Sequence, residues 1–148
     1  MKIIADNKKA KFEYFVLDSV EAGLALKGFE VKSLRLGQVS LGESFCQLTN
    51  NEIWLKNCNI TPYKMETVVK IDPKRDRKIL MHRSEINKLG GKAREKGYTL
   101  VPLKMYFKNG RVKLEVGLCK GKQLHDKRDT IKERDIKRSA EREIANYK

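Results

Sequence analysis

Little in this chain of 148 residues points to an enzyme. It has two histidines, three prolines, three cysteines and one tryptophan. Both histidines, His82 and His125, sit inside basic clusters rather than beside a paired acid. Glycine-rich phosphate loops and nucleophile elbows are missing, and the carboxylates are scattered among cations. Cys46, Cys58 and Cys119 are odd in number and widely separated, so they match no paired metal spacing. They are expected to be reduced, intracellular and packed as small core hydrophobes. No apolar run is long enough to span a bilayer, and the basic, polar start does not read as a signal peptide, which predicts a cytoplasmic protein without a membrane partner. No cofactor and no metal are expected.

What is abundant is positive charge. Lys and Arg number 33 against 19 for Asp and Glu, a net charge of +14, which is the footprint of a phosphate-rich partner. An anionic membrane is the weaker alternative, because no long helix carries a bulky apolar face beside a basic one. The cations form three groups: Lys8, Lys9 and Lys11; then Lys74, Arg75, Arg77, Lys78 and Arg83; then the C-terminal segment. Each alone reads equally as a solvated face. In the last group, Lys127, Arg134, Arg138 and Arg142 fall within about 80° on a helical wheel. The last three are spaced i, i+4, so they repel one another in an isolated helix. Such a stripe folds on a polyanion, or else remains a solvated, frayed terminal helix.

The pattern of elements is β-rich. Phe12 to Leu17 and Leu24 to Leu26 have strand composition, interrupted by Glu21-Ala22-Gly23. Gly28 and Gly37 bracket a short helix over Phe29 to Leu36. Ser44 to Thr49 and Ile53 to Leu55 form a hairpin around an Asn-rich turn. Ile60 to Tyr63 and Thr67 to Ile71 follow as strands, with Pro62 at a bend or an edge. A helix is expected to begin with Ser84 as its N-cap and to end near Gly90-Gly91 or run on to Gly97. Asn109-Gly110, between Thr99 to Phe107 and Arg111 to Leu118, is the clearest hairpin signal. About six strands, two or three helices and no βαβ alternation predict a mainly β, α+β fold. An OB-like antiparallel β-barrel, or a strongly bent sheet, fits best. Aromatic side chains such as Tyr14, Tyr63 or Tyr98 either stack on bases or join the core. RNA is preferred to DNA, because no helix-turn-helix, zinc finger or basic zipper is visible.

Several segments resemble one family when read in order. They are Asn7-Lys8-Lys9-Ala10, Glu21-Ala22-Gly23, Glu30-Val31-Lys32-Ser33-Leu34-Arg35 and Asn59-Ile60-Thr61-Pro62-Tyr63. Asp72-Pro73, Arg77-Lys78-Ile79-Leu80, His82-Arg83, Gly97 to Leu103, Gly110-Arg111-Val112-Lys113, Lys120-Gly121-Lys122 and His125-Asp126-Lys127-Arg128 follow. Together they resemble the SsrA-binding protein (small protein B, SmpB) family of bacteria. The resemblance implies trans-translation: binding the tRNA-like domain of transfer-messenger RNA and accompanying it into stalled ribosomes. The implied partners are that RNA, the decoding centre and message channel of the small ribosomal subunit, and elongation factor Tu within the delivery complex.

The resemblance divides the chain into an OB-like body, residues 1–121, and a tail, residues 122–148. The resemblance implies a tail that is disordered when free and helical in the message channel. It implies RNA contacts for Asn7, Lys8, Lys9, Glu21, Lys78 and Leu80. It gives Gly121 a turn at the junction, His125 a stack on a decoding-centre base, and Asp126, Lys127 and Arg128 the seating of the tail. Lys132, Arg134 and Arg138 then follow the phosphates. Two rival functions remain: a general RNA-binding or ribosomal protein, and an RNA-processing enzyme using His125 with Lys127. Among departures from the family pattern, Ile136 stands where a tail aromatic is common, and Cys119 where alanine is common.

Overall fold

A computed structural model describes residues 1–62, 72–95 and 97–122. The chain begins with β1 (Lys2–Asp6), α1 (Lys8–Glu13), β2 (Tyr14–Leu24) and α2 (Gly28–Arg35). Next come β3 (Val39–Ser40), β4 (Phe45–Thr49), β5 (Glu52–Lys56) and β6 (Asn59–Ile60). The last elements are β7 (Arg77–Leu80), α3 (Arg83–Ala93), β8 (Tyr98–Lys108) and β9 (Arg111–Gly121). Seven strands form one antiparallel sheet in the order β1-β8-β9-β2-β7-β5-β4, and β3 pairs with β6 separately. The sheet curls until β4, at one edge, packs against β8, next to the other edge. The result is mostly antiparallel sheet with few helices, as the pattern of short strands and turns predicts.

The two hairpins follow from their turns. Lys108 pairs with Arg111 and Thr49 with Glu52, so each loop has two residues. Asn109 and Gly110, and likewise Asn50 and Asn51, all have positive φ, the geometry that matches the twist of a tight hairpin. Pro102 lies in β8 at a register shift, where Leu103 is the extra residue, so its missing N–H costs no regular ladder bond.

Alternate residues of β9 fill the core. Val112, Leu114, Val116 and Leu118 point inward with Ile53, Leu55, Ile79, Leu100 and Met105, beneath Leu34 of α2 and Ile86 and Leu89 of α3. The opposite face of β8 and β9 carries a smaller cluster, in which Ala10 of α1 covers Val101, Leu103 and Cys119. Gly117 makes that cluster possible, because a Cβ there would lie 2.6 Å from Leu103 Cδ1. All three cysteines are buried and free. Burial pushes the Cys58 and Cys119 thiols up to about 11, and that of Cys46 further still.

Several boundaries differ from the sequence reading. Glu21-Ala22-Gly23 does not interrupt a strand: β2 runs through it, because Ala22 packs inward while Glu21 pairs opposite Glu115 of β9. Phe12 belongs to α1, whose N-cap is Asn7. α3 starts at Arg83 with His82 as N-cap, two residues before the expected Ser84 cap, and passes through Gly90-Gly91 to Ala93. Gly90 is a packing residue there, since a Cβ would meet Leu48 Cδ2 at 3.0 Å. β1, β3 and β7 carry too few residues, or too mixed a pattern, to announce themselves, and the described residues hold nine strands where about six were expected. The expected strand at Thr67 to Ile71, and Tyr63, lie outside the described residues.

Candidate nucleic-acid interface

β7 shows how the sequence sorts its charges. Arg77 and Ile79 point inward, and Lys78 and Leu80 outward, with the period of a strand. Arg77 is 1% exposed and Glu30 of α2 is 2% exposed. Arg77 Nε donates to Glu30 Oε2 at 2.8 Å, and Arg77 Nη2 to the Pro73 carbonyl at 3.1 Å. Arg75 Nε donates to the other oxygen of Glu30 at 3.1 Å. Burial opposes ionisation of Glu30, but bonds from Arg75, the Lys27 backbone N–H and Arg77 outweigh it and hold its carboxyl below the usual range. This corrects the second basic group. Glu30 holds Arg77 in the core and engages the half-buried Arg75, so Lys74, Lys78 and Arg83 are the members of the group that remain for the surface.

Glu21, Lys78 and Leu80 come together. They line one cleft of about 570 Å³ with Gly23, His82, Arg83 and Lys113. Cross-strand pairing sets the cleft: Gly23 of β2 lies opposite Leu80 of β7 on one side and Lys113 of β9 on the other. Leu80 is 49% exposed, a large apolar side chain standing in a rim of charge. Tyr106 Oη donates to Glu21, and Lys108 Nζ lies 3.3 Å from the same carboxylate. The Tyr106 hydroxyl foremost, with Lys108 and Lys113, holds the Glu21 carboxyl below its usual range despite some desolvation. Burial, then the Glu21 bond, pushes the Tyr106 phenol up. Lys78 Nζ reaches Glu52 at 3.4 Å, and Arg83 donates to the Asn51 carbonyl at 2.7 Å. The cleft therefore offers carboxylate acceptors, Glu21 foremost, the cations Lys78, Arg83 and Lys113, and an apolar prominence. That combination suits an unstacked base flanked by phosphates.

The remaining expected residues lie elsewhere. Lys8 and Lys9 are exposed on α1, and Lys9 pairs with Glu43 at 3.1 Å. Asn7, between them and β1, is 3% exposed. Its Oδ1 accepts from the Ala10 N–H at 3.1 Å, and its Nδ2 donates to the Pro102 carbonyl at 2.8 Å. Asn7 is thus a buried cap that ties α1 to β8, not a surface group, because both ends of its amide are engaged within the fold. Gly121 makes no turn. It ends β9 in register with Tyr14, and the next N–H, of Lys122, donates to the Glu13 carbonyl at 2.8 Å. Tyr14 and Gly23 are nine residues apart on β2, so Gly121 and the cleft are separated by roughly 25–30 Å of paired strand. His125, Asp126, Lys127, Arg128, Lys132, Arg134 and Arg138 lie outside the described residues.

Lys113 and His82 had no assigned role in the sequence reading. Their signal was positional: Lys113 faces the Glu-Ala-Gly strand only once the β2–β9 register is known. No helix among the described residues is long and apolar enough to cross a membrane. Those residues also contain no group of three metal-ligating side chains.

The profile of the SmpB protein family matches residues 4–146. The SsrA-binding protein of Desulforudis audaxviator is 54% identical over 144 residues, covering 97% of this chain and 92% of the relative. That of Treponema denticola is also 54% identical over 144 residues, covering 97% and 94%. That of Carboxydothermus hydrogenoformans is 52% identical over 143 residues, covering 97% and 96%. A chain of the solved structure named "tmRNA-SmpB: a journey to the center of the bacterial ribosome" superposes with a TM-score of 0.68 at 45% identity, covering 81% of this chain and 85% of that one.

Proposed function

We propose, because this chain belongs to the SmpB family, that it is an RNA-binding factor of trans-translation. It binds the tRNA-like domain of transfer-messenger RNA and brings it to stalled ribosomes. The incomplete polypeptide is then tagged for degradation and the ribosome released. The body stands in for an anticodon arm, and the tail enters the empty message channel of the small subunit. Elongation factor Tu belongs to the delivery complex, and the protein acts in the cytoplasm as a binding factor rather than an enzyme.

One observation carries this for the chain itself: Glu21, Lys78 and Leu80 converge on one cleft. Only the fold brings them together, since Glu21 and Leu80 are far apart in sequence. Leu80 supplies apolar contact, Glu21 accepts from base or ribose donors, and Lys78 and Arg83 meet phosphates. The root of the tail, at the far end of β2 and β9, supports a division of labour between RNA binding by the body and channel sensing by the tail. Lys8 and Lys9, on α1 near that root, serve phosphates at the same end.

Fluorescence anisotropy at two salt concentrations tests this. The tRNA-like fragment of transfer-messenger RNA is compared with an ordinary tRNA. A preference for the fragment that survives the higher salt is expected. Equal, salt-erased binding to both would leave only a general basic RNA-binding protein.

A further inference from the structure

Leu80 borders two clefts, not one. Its second side faces a cleft of about 410 Å³ between α2 and the tip of the β8–β9 hairpin, lined by Leu26, Val31, Leu80, Val112, Arg111 and Lys113. The two clefts share Gly23, Leu80 and Lys113, so they form one surface divided by the Leu80 side chain. Their chemistry differs. The first contains Glu21, Glu52 and Glu85 among its cations. The second has aliphatic walls, and its only charged lining groups are Arg111 and Lys113. Among the described residues neither makes a close salt bridge, although Lys113 helps to hold the Glu21 carboxyl of the first cleft low.

We infer that this second cleft holds an unstacked nucleobase of the bound RNA, with its faces against Val31 and Leu80 and with Arg111 and Lys113 on its flanking phosphates. The inference rests on the RNA-binding function proposed above and adds a base-binding site to it. The charge of the lining selects the occupant. An apolar pocket with an all-cationic rim suits a flat, uncharged ring carried on a polyanionic backbone. Leu80 then acts as a wedge that splays two neighbouring bases, one into each cleft. Half exposure of a leucine on a strand otherwise sorted cleanly into inward and outward residues fits this role.

The test uses the full chain and the tRNA-like fragment. Val31→Ser removes an apolar wall without changing charge. It is expected to weaken binding by roughly five- to tenfold while leaving the slope of log affinity against log salt unchanged. Arg111→Gln, at an exposed position, is expected to weaken binding and lower that slope by about one phosphate contact. Fragment substituted with 4-thiouridine and irradiated on the wild-type chain is expected to crosslink to peptides containing Leu24 to Val31 or Gly110 to Lys113. Wild-type affinity in Val31→Ser, with crosslinks confined to Lys78 to Arg83, would overturn the second base site and leave the function standing. A wild-type chain that does not prefer the fragment to ordinary tRNA would remove both. The crosslinks keep the inference falsifiable should Val31→Ser fold poorly.

Discussion

Glu30 and Arg77 face each other in the interior, 2% and 1% exposed, with the guanidinium Nε 2.8 Å from the carboxylate. Arg77 also bonds the Cys58 and Pro73 carbonyls, and Arg75 holds the other carboxylate oxygen. One acid therefore joins α2, the end of β5's loop and the entry to β7. Removing the Glu30 charge strands Arg77 in the core, which costs about 3–5 kcal/mol. Urea unfolding of Glu30→Gln is expected to show a loss of that order at neutral pH.

The same pair gives a pH dependence. Because the folded carboxyl lies below its usual range, Glu30 contributes full stability above the unfolded carboxylate range. That contribution fades as pH falls through the lowered folded value. The gap in urea midpoint between wild type and Glu30→Gln is expected to narrow on acidification below about pH 4.

The thiols are expected to be silent. Burial raises all three, Cys58 and Cys119 to about 11, so little thiolate exists near neutrality and none is accessible. Ellman's reagent at about pH 8 is expected to count no thiol in the native protein. In denaturant it is expected to count all three cysteines of the sequence.

Gly117→Ala drives a methyl group into Leu103 and toward Cys119 Sγ, 3.2 Å away. Overpacking at such a site costs about 1–3 kcal/mol. A lowered thermal midpoint is expected, with RNA affinity unchanged once the protein is folded, since the site lies away from the cleft.

Asn7→Ala removes a helix cap and is expected to cost about 1 kcal/mol of stability. Its effect on RNA affinity is expected to be small beside that of Leu80→Asn, measured by anisotropy with the tRNA-like fragment.

Replacing Asp126, Lys127 and Arg128 together is expected to leave RNA binding by the body intact and to abolish tagging on stalled ribosomes. Equal loss of both, in parallel binding and tagging assays, would refute the division of labour.

The sequence made the hairpins legible, because Asn109-Gly110 and Asn50-Asn51 have side chains that tolerate positive φ where a two-residue turn demands it. The helix between Gly28 and Gly37 and the burial of the cysteines were legible for similarly local reasons. The fate of Arg75 and Arg77 was not. Whether a cation on a strand faces water or an acid depends on strand parity and on Glu30, some forty-five residues away. Leu80 shows the reverse case. Its composition points to the core, yet parity turns it outward. The cleft residues were accessible through family resemblance, residue by residue, but their meeting around Gly23 depends on register between β2, β7 and β9. Composition carries no record of register.

The ladder joining β2 to β9 has a mechanical meaning. Its hydrogen bonds run from Gly23 and Lys113 to Tyr14 and Gly121, broken by one bulge near Leu17. Such a ladder resists both stretching and hinging, so it works as a gauge of fixed length. On the function proposed above, an RNA seated at one end would fix the distance to the end of β9 at Gly121, and that reach is written into the number of strand residues between them. Removing one facing pair would reverse the alternation of faces, whereas removing two facing pairs, two residues from each strand, would preserve it. The gauge would then shorten by about 7 Å, and every group along it would keep its side of the sheet.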